Sequence, residues 1–193
     1  NIIQFYICYK QLKNKIVMKK LGIISMVLIL LVSFGSVAQN KKDSKVIADA
    51  QKAKDKLIEK DDGLADFFSE AAGYVIFPNV GKGGFIIGGA SGNGVVYDNG
   101  NIIGMADLKK VDVGLQAGGQ AIAEVIFFET EEDLQEFKDG DFEFSAQASA
   151  VAVKSGKAKN AKYRDGVVVF AMPKAGLMAE ASVGGQKFSY KPF

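Results

Sequence analysis

The sequence of 193 residues has no histidine and a single cysteine. Without histidine, the commonest general base near neutral pH and the commonest neutral metal ligand are both missing. The one cysteine, Cys8, lies in an N-terminal segment that reads as a leader, so the body of the protein has neither a disulfide nor thiol chemistry. That body must be held together by its apolar core alone. A Gly-x-Ser-x-Gly nucleophile elbow does not occur, and no spacing of carboxylates demands that they converge on a metal or a glycosidic bond. Catalytic readings therefore start without their usual residues, and neither a catalytic residue nor a metal ligand nor a cofactor is assigned.

The leader reading rests on three consecutive features. Met18-Lys19-Lys20 is a basic start, Leu21 to Val32 is a run of twelve uncharged residues, and Ser36-Val37-Ala38 is small at its first and third places. Together these form a secretory signal peptide at 18–38, with cleavage expected between Ala38 and Gln39 and export to the periplasm or the medium. The apolar run falls short of the roughly 20 residues that a membrane helix needs. No cysteine comes after it, which argues against a lipid-anchored lipoprotein. Residues 1–17 read as an upstream, non-native extension, and 39–193 as one domain. A chain of that length buries about two thirds of its unfolded surface, enough for one core. Charge changes sign with the leader. The five lysines of residues 1–38 come off the total of 24 basic residues, leaving 19 against 22 acids and a net of −3. Bulk charge thus gives no case for nucleic acid.

Two textures divide the domain. From Gln39 to Glu70 the chain is polar and rich in lysine. Val46, Ala50, Ala53 and Leu57 fall at spacings of 4, 3 and 4, one stripe of an α-helix, with Asp43 or Ser44 as the expected cap and Asp61-Asp62-Gly63 as the stop. Residues 64–72 read as a second short helix. From Gly73 onward, short runs of Val, Ile, Phe and Tyr alternate with Gly, Asn and Asp. Strands are expected near 74–77, 84–90, 94–97, 101–106, 111–118, 121–128, 144–153, 166–172, 176–183 and 186–190. Asp98-Asn99-Gly100-Asn101 reads as a hairpin turn and Pro78-Asn79 as another. Thr130-Glu131-Glu132-Asp133 has the form of a capping box opening one inserted helix, with Leu134 and Phe137 on its apolar face. The expected fold is α+β: a curled or barrel-like antiparallel β-sheet with N-terminal amphipathic helices and one short inserted helix.

The stretch from Ala71 to Gly100 imitates a phosphate loop but fails as one. Gly81-Lys82 is followed by Gly83, so the hydroxyl that would hold magnesium is missing, and position 76 is Ile. Beyond the glycines the chain continues as strand, Val95-Val96-Tyr97, where a dinucleotide fold would have a helix. The glycines read instead as places where a strand bends or backbones approach closely.

Two basic sets remain. Lys154, Lys157, Lys159, Lys162 and Arg164 fall within eleven residues that contain no acid, around a loop-like Ser155-Gly156, and they form a candidate patch for anionic lipid. On the helical wheel Lys41, Lys45, Lys52, Lys56 and Lys60 share one side next to the apolar stripe, interrupted by Asp49, a candidate basic helix face. The plain alternatives are a solvated loop and a helix packed on the sheet. By contrast, 129–143 holds eight acids and one lysine, the signature of a solvated helix face and loop.

Ala72-Gly73-Tyr74-Val75-Ile76-Phe77-Pro78, Gly83-Gly84-Phe85-Ile86-Ile87-Gly88-Gly89 and Gly92-Asn93-Gly94-Val95-Val96 resemble the start of the SYLF lipid-binding domain family. Gly114-Leu115-Gln116-Ala117-Gly118-Gly119 is similar to that family's glycine-glutamine strand, and Leu134-Gln135-Glu136-Phe137 stands where it has a short helix. Gly176-Leu177-Met178-Ala179-Glu180-Ala181-Ser182-Val183 is similar to its terminal strand motif. The likeness runs from about Ser44 to Tyr190. The chain departs from many relatives in lacking tryptophan and in Ala171-Met172-Pro173-Lys174 ahead of the terminal motif. The resemblance implies a non-enzymatic module without a cofactor. It also implies an anionic phospholipid or membrane surface as partner, since eukaryotic relatives bind phosphoinositide membranes and some bind actin. Bacterial relatives are exported envelope proteins, so actin is not expected for a bacterial member. The alternative is an envelope structural or protein-interaction module with no lipid ligand.

Overall fold

The computed structural model describes residues 41–84, 87–140 and 151–193. The leader and most of the strand expected at 144–153 lie outside the described residues. Lys45–Phe193 forms one compact unit; of the other unit, Asn1–Ser44, residues 41–44 are described and are helical.

The first helix, α1, runs over 41–60, and α2 is Leu64–Glu70. After them come five strands: β1 Gly73–Gly84, β2 Ile87–Asp98, β3 Asn101–Phe128, β4 Val151–Ala152 and β5 Val167–Pro192. Helix α3, Glu131–Asp139, lies between β3 and β4. The first helix is already running at Lys41, so Asp43 and Ser44 lie inside it and do not cap it. The expected buried stripe is correct: Ala50, Ala53 and Leu57 are buried, with Val46 packed beside them.

The sheet is built around the β1–β2 hairpin. The first part of β3 pairs with β2, from Asn101↔Asp98 to Val113↔Ile87, and its last part pairs with β1, from Gly118↔Gly84 to Phe128↔Gly73. One continuous strand thus passes along both sides of the hairpin. β5 pairs with β3 along its whole length, so a section through the sheet at Glu124 crosses seven strand segments. The ring of Phe188 on β5 lies 5.9 Å from that of Phe77 on β1, although three strand spacings, about 14 Å, separate their backbones in a flat sheet. The sheet is therefore curled around this face. It is not a closed barrel, which corrects the barrel expectation. It is also mixed, because β4 runs parallel to β5.

Alternation assigns the two faces. Val75, Phe77, Val80, Val96, Leu108, Ile122, Ile126 and Phe128 line the concave face, where Leu134 and Phe137 of α3 complete the core. Tyr74, Ile76, Val95, Val125, Phe127 and Phe170 line the convex face beneath α1 and α2. Phe67 and Phe68 of α2 both pack their rings on Phe127, at 5.4 and 4.8 Å.

Two turn expectations divide. Asn99 and Gly100 have φ of 46° and 79°, the hairpin turn that Asn-Gly favours. Pro78-Asn79 does not turn the chain. It is a register shift inside β1, and Lys174 fixes it by donating to Pro78 O at 3.1 Å and Asn79 Oδ1 at 2.5 Å. The expected short strands merge for a related reason. β1 and β3 have hydrogen-bonded neighbours on both edges, and this pairing carries them through glycines that weaken strand propensity locally.

The glycines fall into two kinds, and substitution distinguishes them. A Cβ on Gly94 would lie 2.6 Å from the Phe77 ring, whereas one on Gly81 would meet nothing within 4 Å. Gly94→Ala should cost about 1–3 kcal/mol in urea unfolding, the usual cost of overpacking. Gly81→Ala should fall within about 0.5 kcal/mol of the parent, as for a free surface position.

Candidate functional site

Both basic sets end on one buried carboxylate. Helix α1 stops at Lys60, and Asp61, next in the chain, is 1% exposed. Its backbone N–H still donates to Leu57 O at 3.0 Å. Its Oδ1 accepts from the N–H groups of Gly63 at 3.3 Å and Gly156 at 3.2 Å. Its Oδ2 accepts from Lys157 N at 2.9 Å and Ala158 N at 2.8 Å. A buried carboxylate is tolerable because its oxygens are filled by fixed donors. The donors from 156–158 lead into a short 3-10 helix, Ala158–Asn160; the carboxylate satisfies the N–H groups of Gly156 and Ala158 and shares that of Lys157 with Lys154 O, at 3.0 Å.

This contact sets the loop that carries the first candidate patch. Gly156 adopts φ of 75°, which turns the chain back onto Asp61. Val153 and Ala158 are buried in the convex core, and Ala161 and Tyr163 pack against it. Lys154, Lys157, Lys159, Lys162 and Arg164 are all exposed. Lys159 reaches Asp62 at 3.6 Å, but both side chains are largely in solvent, so the pair contributes little. Arg164 is held through its backbone, which exchanges hydrogen bonds with Val167 at 2.9 and 3.1 Å.

The second candidate set, Lys41, Lys45, Lys52, Lys56 and Lys60, is exposed along α1. The two sets meet only at the helix end: Lys60 adjoins Asp61, while Lys45 is about 22 Å further up the axis at 1.5 Å per residue. The arrangement is a stripe running into a loop. The sequence reading missed Lys42, which is exposed as well. Lys54 belongs elsewhere. It is half-buried, donates to Tyr74 Oη at 3.1 Å and sits 4.5 Å from the centre of the Phe68 ring, so it ties α1 to the sheet.

The acidic segment is described up to residue 140, with Asp141 and Glu143 outside the described residues, and its helix packs on the opposite face. Thr130 and Asp133 form the expected capping box, and Gly140 ends α3 at φ of 79°. Glu131, Glu132, Glu136 and Asp139 are exposed. Among the described residues no group of three or more acids could hold a metal ion. One acid has no counterpart in the sequence reading. Glu124 on β3 is 3% exposed, faces the concave core, and its Oε1 has no hydrogen-bond partner. Burial raises its pKa, opposed by the charges of Lys82 and Lys110. Strand periodicity was the signal available: Glu124 alternates in phase with Ile122 and Ile126.

Residues 109–191 match the family model of the Las17-binding protein actin regulators, Ysc84, whose domain is the SYLF domain. The SYLF resemblance read from the sequence is borne out over this span. The match takes in most of β3, α3, the basic loop and nearly all of β5; the glycine-rich stretch that first carried the resemblance precedes it. No curated protein matches the chain. The SYLF family is one of binding domains, with lipid and actin-related roles.

Two outcomes test this geometry. Asp61→Ala leaves the N–H donors of Gly63, Gly156 and Ala158 without an acceptor, while Lys157 N keeps Lys154 O at 3.0 Å, and should cost about 2–4 kcal/mol in urea unfolding, since hydrogen bonds to charged groups contribute about 1.5–3 kcal/mol each and relaxation recovers part. Amide exchange at Gly156, Lys157 and Ala158 should accelerate more than at Phe127. Equal exchange at both would show that Asp61 does not hold the loop. For Glu124 the sign comes from its raised pKa. The folded state binds a proton that the unfolded state has released, so stability falls as pH rises above the ordinary carboxylate range. Glu124→Gln should therefore gain stability over the parent at pH 7, and the gain should shrink toward pH 4.

Proposed function

We propose that the protein is an exported, non-enzymatic module that binds anionic lipid surfaces through the lysines of α1 and of the 153–166 loop. The observation that carries this reading is the Asp61 contact, which fixes a five-cation loop at the end of a helix bearing five more cations. All ten side chains are exposed. Among the ten, Lys159 alone has a described ion pair, and that pair lies in solvent, so the charge is available to a partner. The lipid role of the SYLF family and the leader read at 18–38 support the same assignment. Each basic residue close to an anionic surface contributes about 1 kcal/mol, so a handful acting together gives useful affinity without any enclosed pocket. Actin is not the partner in this reading, because an exported protein is parted from the cytoplasm of its own cell.

A second reading, an envelope interaction module with no lipid ligand, is favoured by the exposed acids of α3. They border a groove of about 720 Å³ whose lining includes Asp98, Asn99, Glu131, Glu132 and Lys138.

Vesicle flotation of the purified protein decides between the two. Binding is expected to phosphatidylglycerol-rich vesicles and not to phosphatidylcholine alone, and it should fall as salt rises, because exposed charges are screened. Reversing Lys157, Lys159 and Lys162 to glutamate should weaken it by at least about tenfold, since three favourable contributions become repulsive. Failure to float with either vesicle would sink the lipid reading in favour of a protein partner. Pelleting with filamentous actin should stay at background; a saturable pellet would return the family's actin role to this chain.

A further inference from the structure

The concave face changes character toward the tip of the β1–β2 hairpin. Lys110 pairs with Ala90, Ala90 with Lys82, and Lys82 with Gln120, forming one rung across four strand segments. Residues paired directly across antiparallel strands share a face. Ala90 belongs to the concave cluster, so the whole rung faces into the curl. The next rung inward, Leu108, Gly92, Val80 and Ile122, is apolar or bare. Two lysines and an amide therefore stand where the pattern asks for apolar side chains, and all three are half-buried.

Their spacing has a use. The backbones of Lys82 and Lys110 are two strand spacings apart, about 10 Å. The residue between them carries only a methyl group, and the surface is concave, so long side chains from its two sides lean toward each other. Deeper on the same face lies the Glu124 carboxyl, 3% exposed, with Oε1 accepting no hydrogen bond. Lys82 and Lys110 are the two cations whose charge acts on it. A buried acceptor without a donor is uncommon and calls for an explanation.

We propose that the hairpin end of the concave face binds a phosphate ester whose carrier bears a hydroxyl or amino group. The phosphate sits between Lys82 and Lys110, the Gln120 amide donates to it, and the carrier's O–H or N–H donates to Glu124 Oε1. This site is separate from the lysines of α1 and the loop and does not rest on the lipid-surface reading. Its ligand is either a phospholipid headgroup or a free phosphoester.

The test is calorimetric titration of the purified protein with glycerol 3-phosphate and, separately, with inorganic phosphate. Saturable binding of glycerol 3-phosphate is expected, tighter than that of inorganic phosphate. Lys82→Met and Lys110→Met keep the apolar stems and should each weaken both ligands about tenfold, the scale of one lost charge-assisted contact. Glu124→Gln retains an acceptor and should keep the preference for glycerol 3-phosphate, whereas Glu124→Leu should abolish it. The loop variant with Lys157, Lys159 and Lys162 reversed should titrate like the parent. Residual flotation of the loop-reversed variant with phosphatidylglycerol vesicles that glycerol 3-phosphate or Lys82→Met removes would assign the site to a headgroup; titration without such a loss would assign it to a free phosphoester. Absence of saturable binding, or binding that both methionine variants leave unchanged, overturns the proposal. Equal affinity for the two ligands in the parent overturns the role given to Glu124.

Discussion

The length of one strand governs this architecture. Because β3 stays extended from Asn101 to Phe128, its two ends flank opposite edges of the same hairpin, and the sheet has to curl to let them do so. The curl gives the sheet two unequal faces. The concave face is narrow enough for Phe77 and Phe188 to touch across three strand spacings, and α3 is sufficient to complete it. The convex face is broad, cannot fold onto itself, and must be covered by α1, α2 and the loop before β5. The body from residue 39 onward has no cysteine, so this packing is held without a disulfide.

Asp61 is the point at which covering the convex face becomes placing charge. A loop with five cations in eleven residues repels itself and has little apolar surface of its own. Ala158 and Val153 supply the burial, and the carboxylate supplies the acceptors for three consecutive N–H groups. The acid is nearly inaccessible, so its bonds are not exchanged for water. An exposed ion pair such as Lys159–Asp62 could not do the same, because solvent competes with it at every step.

Local pattern made part of this legible. The stripe of Ala50, Ala53 and Leu57, the Asn-Gly turn and the Thr130–Asp133 capping box each depend on neighbours a few residues away, and each was readable from spacing. Features that depend on distant pairing were not. Residues 84–90 look like one strand, yet long-range pairing divides them: Gly84 ends β1 against Gly88 and Gly118, and β2 begins at Ile87. Pro78-Asn79 looks like a turn, yet Lys174, 95 residues further on, holds it as a bulge. Asp61 looked like a helix stop and nothing more, because its partners at 156–158 lie in a different part of the chain. Glu124 was hidden differently: it keeps strand phase, and periodicity does not tell which face will be closed.

The same topology revises what net charge means here. The body carries a net of −3 once the five lysines of residues 1–38 are set aside, which by itself argues against an acidic partner. But the densest run of acids and the two basic sets do not share a face. Glu131, Glu132, Glu136 and Asp139 ride on α3, whose apolar side joins the concave core, while the basic loop and the lysines of α1 are anchored in the convex one. Charges separated by more than about 8 Å at physiological salt barely cancel, so on the convex side the cations are offset by Asp55, Glu59, Asp62, Asp66 and Glu70 close by, and little by the acids of α3 behind the sheet. The protein is then polar in the electrostatic sense, and its net charge fixes neither the sign nor the strength of what each face attracts.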